Sequence, residues 1–296
     1  MTYARRPAPR TEPDAEPPSW SAVRDELRDV VARLPALLAA VPDPHAPAVG
    51  VWDIADTAVH LSQTWAAVTP LARGDLAGAL RAVPATDGLG TPSGAVFPDM
   101  AALSRWTERA VAAEPDRDLA HVSEEITRHA RAFTDHRHAD DGPRPWAIDG
   151  IRGRPAFFGG HILGETLVHG DDIARAAGGL PWSIPPRAAA LVLRCFMLNV
   201  VSQAVTAHPQ TGRSFSIDLQ LAGEDRFHLV KDDDGMRIDP PSRRRVDVHL
   251  RADPAGLLAL IWNRRTVGSL LARGQLLVWG RRPWKVRDLL AIAPDV

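Results

Sequence analysis

Glu165 and His169 stand four residues apart in the stretch Gly164-Glu-Thr-Leu-Val-His-Gly-Asp-Asp172. In a helix that spacing stacks a carboxylate and an imidazole on one face. Aimed at one point, they make two thirds of an open zinc or iron site. Their neighbours Phe157, Phe158, Ile162, Leu163, Leu167, Val168 and Ile173 are apolar. An unpaired carboxylate is unfavourable in such a setting, so Glu165 needs a cation or strong donors. An ion pair with Arg154 or Arg175 is the competitor to a metal. Glu125 and His129 repeat the spacing, but the polar run His-Val-Ser-Glu-Glu-Ile-Thr-Arg-His reads as a solvated helix face.

A third ligand has to come from elsewhere. His60, in Ala-Val-His60-Leu-Ser, lies on a separate apolar segment. If that helix packs against the Glu165 helix, two imidazoles and one carboxylate converge. The set suits zinc and, less exclusively, iron or nickel, and it leaves a position for water or a thiol. His161 precedes Glu165 by four. Three ligands from one straight helix would spread over about 12 Å, too far for a single ion. His161 therefore either supports or faces a substrate, or replaces His169. Asp172, three residues after His169, is placed to accept a hydrogen bond from its imidazole or to serve as a solvated or capping residue.

The elements that must position these groups are mostly helical up to about residue 207. Trp20, Val23, Leu27, Val30, Val31, Leu34, Leu37 and Leu38 recur at helical spacing. Prolines 42, 44 and 47 then break the chain. A second helix is predicted from Ile54 to Val68 with Asp53 as N-cap. Residues 84–98 and 140–154 read as loops, with helices near 99–113 and 118–136 between them. The Glu165 helix is predicted from Phe158 to Ala177, stopped by Gly178-Gly179, and another follows Pro185-Pro186. Beyond His208 the period changes to two. Phe215, Ile217, Leu219 and Leu221 alternate, as do Phe227 with Leu229 and Val246, Val248 with Leu250. Asp232-Asp-Asp-Gly235 reads as a hairpin turn. Asp253-Pro254 caps a helix through Trp262, a further helix runs near Val267–Ala272, and Gln275–Trp279 is a short strand. The expected fold is mainly α: a four-helix bundle over 19–207 and a small α+β domain over 208–296, after a disordered tail at 1–18 rich in proline and charge.

Composition narrows the function. At 296 residues the chain can bury a large core or two medium ones. A net charge of -1 offers no broad attraction to nucleic acid or to a membrane surface. The longest apolar run, Ala188 to Val205, is interrupted by Arg194, Asn199, Ser202 and Gln203 and reads as a buried helix. The single cysteine, Cys195, excludes an internal disulfide and fits a reducing, cytoplasmic compartment; its apolar neighbours suggest an inert thiol. The nine tryptophans, Trp52, Trp65, Trp106 and Trp182 among them, read as core or pocket wall. No phosphate-binding glycine loop and no nucleophilic serine motif appears. Lys231 and Lys285 are the only lysines, which with abundant Ala, Pro and Gly suggests a GC-rich genome.

Two separated segments resemble one family. Val51-Trp-Asp-Ile-Ala-Asp-Thr-Ala-Val-His60-Leu resembles the W-x-x-x-D-x-x-x-H-L segment of the DinB-like metal-binding bundle. Gly164-Glu165-Thr-Leu-Val-His169-Gly-Asp171-Asp172 resembles the E-x-x-x-H-x-x-D helix found in mycothiol-dependent maleylpyruvate isomerases, and Gly178-Gly-Leu-Pro-Trp182-Ser-Ile-Pro-Pro186 also fits that group. Leu260-Ile-Trp-Asn-Arg264-Arg265 and Gly268-Ser-Leu-Leu-Ala-Arg-Gly274 resemble the sterol-carrier-protein-like domain often fused to it. The segment Gly280-Arg-Arg-Pro-Trp284-Lys has no counterpart.

The resemblance implies zinc, or another divalent metal, on His60, Glu165 and His169, with mycothiol as cosubstrate. It implies a thiolate that adds to the cis double bond of maleylpyruvate and leaves after rotation, or one that stays attached in a related S-transferase. It also implies an arginine that binds substrate carboxylates, with Arg264 or Arg265 the nearest candidates. An actinobacterial source would agree with the composition. The expected partners are a small electrophile and the thiol, without nucleic acid or membrane, for a monomer or dimer. The rival readings are a non-catalytic binding module with a structural or vestigial metal, and a ligand sensor. The near-neutral charge and the lack of a DNA-reading helix pair disfavour a direct DNA-binding regulator.

Overall fold

The computed structural model describes residues 18–83, 97–136, 142–148, 151–201, 203, 214–233 and 235–290. The tail at 1–17, most of the 84–98 loop and the boundary near 208 lie outside the described residues.

The first apolar stripe forms two helices rather than one. α1 runs Trp20–Val31 and α2 Leu34–Ala39. Pro35 explains the break, since it lacks an N–H and sits comfortably only in a first helical turn. Ser19 caps α1 through its side chain. A short hairpin, β1 (Pro47–Val49) and β2 (Trp52–Asp53), leads into α3 (Ile54–Ala72). Asp53 caps α3, and Asp56 reaches back to the Asp53 N–H in a reciprocal capping box. α4 (Leu76–Arg81), α5 (Met100–Ala113) and α6 (Leu119–Asp135) follow, each N-capped by an aspartate. Two strands of two residues each, β3 (Arg144–Pro145) and β4 (Arg152–Gly153), pair antiparallel.

α7 (Pro155–Ala176) is the centre of the bundle and is buried nearly all round. α1, α3 and α6 complete it: α7 packs on α1 and α3, and α3 and α1 pack on α6. Trp65, Phe133, Phe158, Leu27, Ile162 and Leu163 fill the middle. α7 ends where Gly178 and Gly179 adopt φ of 87°, a conformation that disfavours other residues. α8 (Pro186–Phe196) packs against α7 and passes into a π-helical turn at Met197–Val201. The approach is close because Gly160 has no side chain. A Cβ there would lie 2.6 Å from the Cys195 Cβ and Sγ.

The carboxyl-terminal part is a five-stranded sheet in the order β7-β6-β5-β8-β9. Its strands are β5 (Phe215–Leu221), β6 (Arg226–Asp232), β7 (Gly235–Asp239), β8 (Val248–Ala252) and β9 (Leu276–Trp279). β8 runs parallel to β5; the other pairs are antiparallel. Alternation sends Ile217, Leu219, Leu229, Ile238, Val248 and Leu250 into the core. α9 (Pro254–Ile261), capped by Asp253, and α10 (Val267–Ala272), with a Thr266–Ser269 capping box, connect β8 to β9. α9 packs on α8 and joins the two parts. The architecture is the mainly-α bundle followed by a small α+β unit that the sequence patterns predict. No helix of the described residues is long and apolar enough to cross a membrane.

On the other sheet face a polar row crosses all five strands. Asp239, His228, Asp218, His249 and Trp279 stand side by side in register. Asp218 is fully buried beneath them and accepts from Arg226 Nε (2.7 Å) and Nη2 (2.8 Å) and from His249 Nδ1 (2.7 Å). Burial alone would raise its pKa. Hydrogen bonds from Arg226, His249 and Gln220 outweigh it and lower the pKa from 3.8 to about 2. A depressed carboxylate stabilises the fold above its unfolded pKa, and that stability is lost as pH falls through the folded value. The network is therefore expected to contribute about 2 kcal/mol above pH ~4 that disappears between pH ~4 and ~2. Urea unfolding of wild type and Asp218→Asn across that window checks it. Equal acid sensitivity of the two proteins would contradict the assignment.

Candidate metal centre

Glu165 and His169 lie one turn apart on α7, and His60 faces them from α3. The register between the helices is pinned one turn away. The Trp65 indole N–H donates to Thr166 Oγ1 at 3.2 Å, and that hydroxyl donates to the Ile162 carbonyl at 2.7 Å. All three candidate ligands come together: one donor atom from each lies within 4.8 Å of the other two.

Both imidazoles aim at one carboxylate oxygen. Glu165 Oε2 is 3.1 Å from His60 Nε2 and 3.3 Å from His169 Nε2. Tetrahedral bonds of about 2.0–2.2 Å set ligand atoms about 3.3–3.6 Å apart, so the cluster has the span of an ion-binding site. The hydrogen bonding around it fits as well. His169 Nδ1 lies 3.2 Å from Asp172 Oδ2, and a carboxylate there requires an N–H. In the neutral ring that leaves the Nε2 lone pair facing the Glu165 oxygen. Two lone pairs across 3.3 Å call for a cation between them, either a proton or a metal ion.

Burial pushes the His60 and His161 imidazoles below their ordinary pKa. Burial acts on Glu165 and His169 too, but partners reverse its effect. Hydrogen bonds from His169 and His60 hold the Glu165 carboxyl well below the usual range. Those to Asp172 and Glu165 raise His169. The donor set is thus a carboxylate and two imidazoles, matching a divalent ion of the zinc type.

The other sequence candidates fall in distinct places. Arg264 follows α9 and lines the cavity, with its guanidinium paired to Asp172. Nε donates to Asp172 Oδ1 (3.2 Å) and Oδ2 (3.1 Å), Nη2 to Oδ2 (2.8 Å), and Nη1 to the Trp262 carbonyl (2.6 Å). Arg265 is exposed and is not on the cavity wall. Neither Arg154 nor Arg175 pairs with Glu165; Arg175 binds Asp171 and Asp172. Asp172 accepts from His169, as its spacing suggested, and also binds the two arginines. His161 lies on the cavity wall with its ring 5.2 Å from that of Trp146. Glu125 and His129 sit with Arg128 on a partly solvated face of α6.

Two aromatic side chains complete the surroundings, of which Trp52 reads from the sequence as core or pocket wall and Trp262 is not legible as a site residue. Trp262, at the C-terminal end of α9, donates its indole N–H to Glu165 Oε1 at 3.3 Å. It reaches that far because Gly164 leaves room; a Cβ there would lie 2.9 Å from Val192 Cγ1 and 3.1 Å from the indole. Trp52 covers the other side, its ring 5.0 Å from His60 and 6.4 Å from His169. The one sequence signal for Trp262 is a small residue facing a large aromatic, and one sequence does not pair them.

The cluster forms one wall of a cavity of about 380 Å³. Cys195 also lines the cavity, but burial raises its thiol pKa to about 12, so it is not a nucleophile near neutral pH.

No protein-family model matches the chain, and no curated protein matches it. Among solved structures, the chain is similar to the mycothiol-dependent maleylpyruvate isomerase, at 13% identity and a TM-score of 0.44, covering 84% of this chain and 91% of that one. A mutant of that isomerase gives 14% identity and a TM-score of 0.48 over 84% of this chain and 90% of that one. The stereoselective inverting sec-alkylsulfatase Pisa1 from Pseudomonas sp. follows at 10% identity and 0.26, over 65% of this chain and 28% of that one. Likenesses this distant carry no argument about activity.

Proposed function

We propose that the chain is a metal-dependent enzyme that uses a low-molecular-weight thiol as its nucleophile, either as a maleylpyruvate-type cis-trans isomerase or as an S-transferase. The observation that carries the reading is that three ligand-type atoms converge on the wall of a cavity large enough for a small molecule. The sequence motifs around His60 and around Glu165 and His169 support it, and they make mycothiol the first thiol to test.

His60, Glu165 and His169 would hold the ion, which when bound favours loss of the S–H proton from a thiol near neutral pH. Asp172 keeps the proton of His169 on Nδ1 and so directs Nε2 inward. Trp262 occupies the second oxygen of Glu165, leaving Oε2 for the cluster. Trp52 and Trp262 shield the site from water. For the isomerase, the S–C bond that forms is broken again and the thiol is returned. For the transferase the S–C bond persists, and either a leaving group departs with its electron pair or a proton adds at the neighbouring carbon. Residues 19–207 would be the metal-holding bundle and 208–296 the unit that closes over it. The enzyme would act on small molecules alone, in the cytoplasm, as a monomer or dimer.

Elemental analysis and zinc titration test the reading. The full chain is expected to take up about one zinc ion and to melt higher with it. A chain that stays metal-free, with a melting curve unmoved by zinc, would overturn the proposal. With zinc bound, mycothiol and maleylpyruvate distinguish isomerised product from conjugate.

A further inference from the structure

The cavity beside the cluster is built for an apolar guest. Its aromatic wall includes Trp52, Phe97, Trp106, Trp146, Phe157 and Trp262. Even the mouth is apolar: Val51, at the tip of the β1–β2 hairpin, lines it and is 87% exposed. Two neutral polar groups on the wall are committed, while the Trp106 indole N–H and His60 Nδ1 are buried without a partner, room for one or two uncharged hydrogen bonds to a guest. Gln63 donates to the Ala110 carbonyl at 3.1 Å, and Thr64 to the His60 carbonyl at 2.9 Å. No lysine of the described residues lines the cavity, and Arg264 is the one arginine that does.

A dicarboxylate needs cationic donors to replace its water. The one guanidinium within reach makes its Nε and Nη2 bonds to Asp172, which also holds His169. Its charge is thus already balanced by a carboxylate whose side chain is 1% exposed. Glu108 on the same lining adds negative charge. Pockets of this size and apolar character enclose compact uncharged ligands held mainly by area.

We infer that the partner of the thiol is an uncharged, largely apolar electrophile, of up to three rings or the aliphatic equivalent, and not a diacid. This rests on the proposed thiol chemistry and selects S-transfer over isomerisation of a dicarboxylate. The covalent step is the balanced S–C bond formation given above and needs no oxidant or reductant.

Equilibrium binding of N-phenyl-1-naphthylamine, an uncharged probe that brightens in apolar surroundings, tests the inference on the full chain, both metal-stripped and zinc-loaded. Saturable binding at one site is expected in both forms. Millimolar maleate is expected to leave it bound. Ala67→Trp on α3 and Leu103→Trp on α5 narrow the cavity from two sides, and each is expected to weaken binding at least tenfold. Zinc uptake and circular dichroism confirm that each variant is folded, and either variant alone suffices. No saturable binding, displacement by millimolar maleate, or unchanged affinity in a folded variant would overturn the inference. Because the metal-stripped form is measured too, a chain that binds the probe but never zinc would sink the thiol chemistry and spare the apolar site. Zinc uptake without probe binding would do the reverse.

Discussion

Glu165→Gln is expected to abolish metal binding while the protein stays folded. The two imidazoles meet at a single oxygen of this residue, 3.1 and 3.3 Å away, so it is the one group that takes part in both polar contacts of the cluster. Glutamine keeps the shape and removes the charge. Its amide still accepts from the Trp262 indole, and its nitrogen can donate to one imidazole. Metal-free stability is therefore expected to fall by only about 2 kcal/mol, the scale of a charge-assisted hydrogen bond. Metal affinity is a different matter. Loss of a group that merely orients a ligand costs 10–100-fold, so loss of the anionic ligand itself is expected to cost at least about 100-fold. Calorimetric zinc titration of both proteins reads the difference. A glutamine variant that still bound one zinc with unchanged affinity would remove Glu165 from the ligand set.

Asp172→Ala is expected to be the more destructive change. The carboxylate is buried and binds His169, Arg264 and Arg175, the last at 2.5 Å. Removing it strands the Arg264 guanidinium, 17% exposed, without its counter-charge. Breaking a buried pair from one side costs about 3–5 kcal/mol. It also frees His169 to rotate, so zinc affinity is expected to fall about 10–100-fold on top of the stability loss. Combining it with Arg264→Leu separates the two effects. The double variant is expected to recover part of the stability, since the stranded charge is gone, but none of the zinc affinity, since His169 stays unheld. Simple additivity in stability would show that the two side chains do not act as a pair. Burial raises the Asp172 pKa, but His169 and Arg264 hold it below the ordinary value. Its contribution is therefore complete above pH ~4 and lost as pH falls further.

The sequence revealed the ligands more readily than their surroundings, for physical reasons. Glu165 and His169 are neighbours by helical geometry, and burial of a carboxylate among Phe158, Ile162 and Leu163 singles them out from Glu125 and His129. His60 needed only the packing of α3 on α7. Strand alternation likewise exposed β5, β6 and β8, because each buries one face. The break at residues 32–33 was masked by an apolar stripe that continues through it, and Pro35 was the signal that explains it. Arg264 shows the limit. The motif placed an arginine at the site, but its partner Asp172 lies 92 residues earlier, and only the fold shows that the two are joined. The cavity walls come from the β1–β2 hairpin, α3, α4, α5, Trp146-Ala147, α7, α8 and the two residues Trp262 and Arg264 after α9, which no single periodicity relates.

The contact from Trp262 to Glu165 spans 97 residues of chain and crosses from the sheet-bearing part to the bundle. The ligand cluster thus has two custodians that are encoded far apart. Recombination of such proteins at the junction between their parts would inherit the ligands from one parent and the residues that hold them from the other. Residues 262 and 264 therefore travel functionally with 165 and 172, and a shuffled chain that separates them would keep its motif and lose its grip.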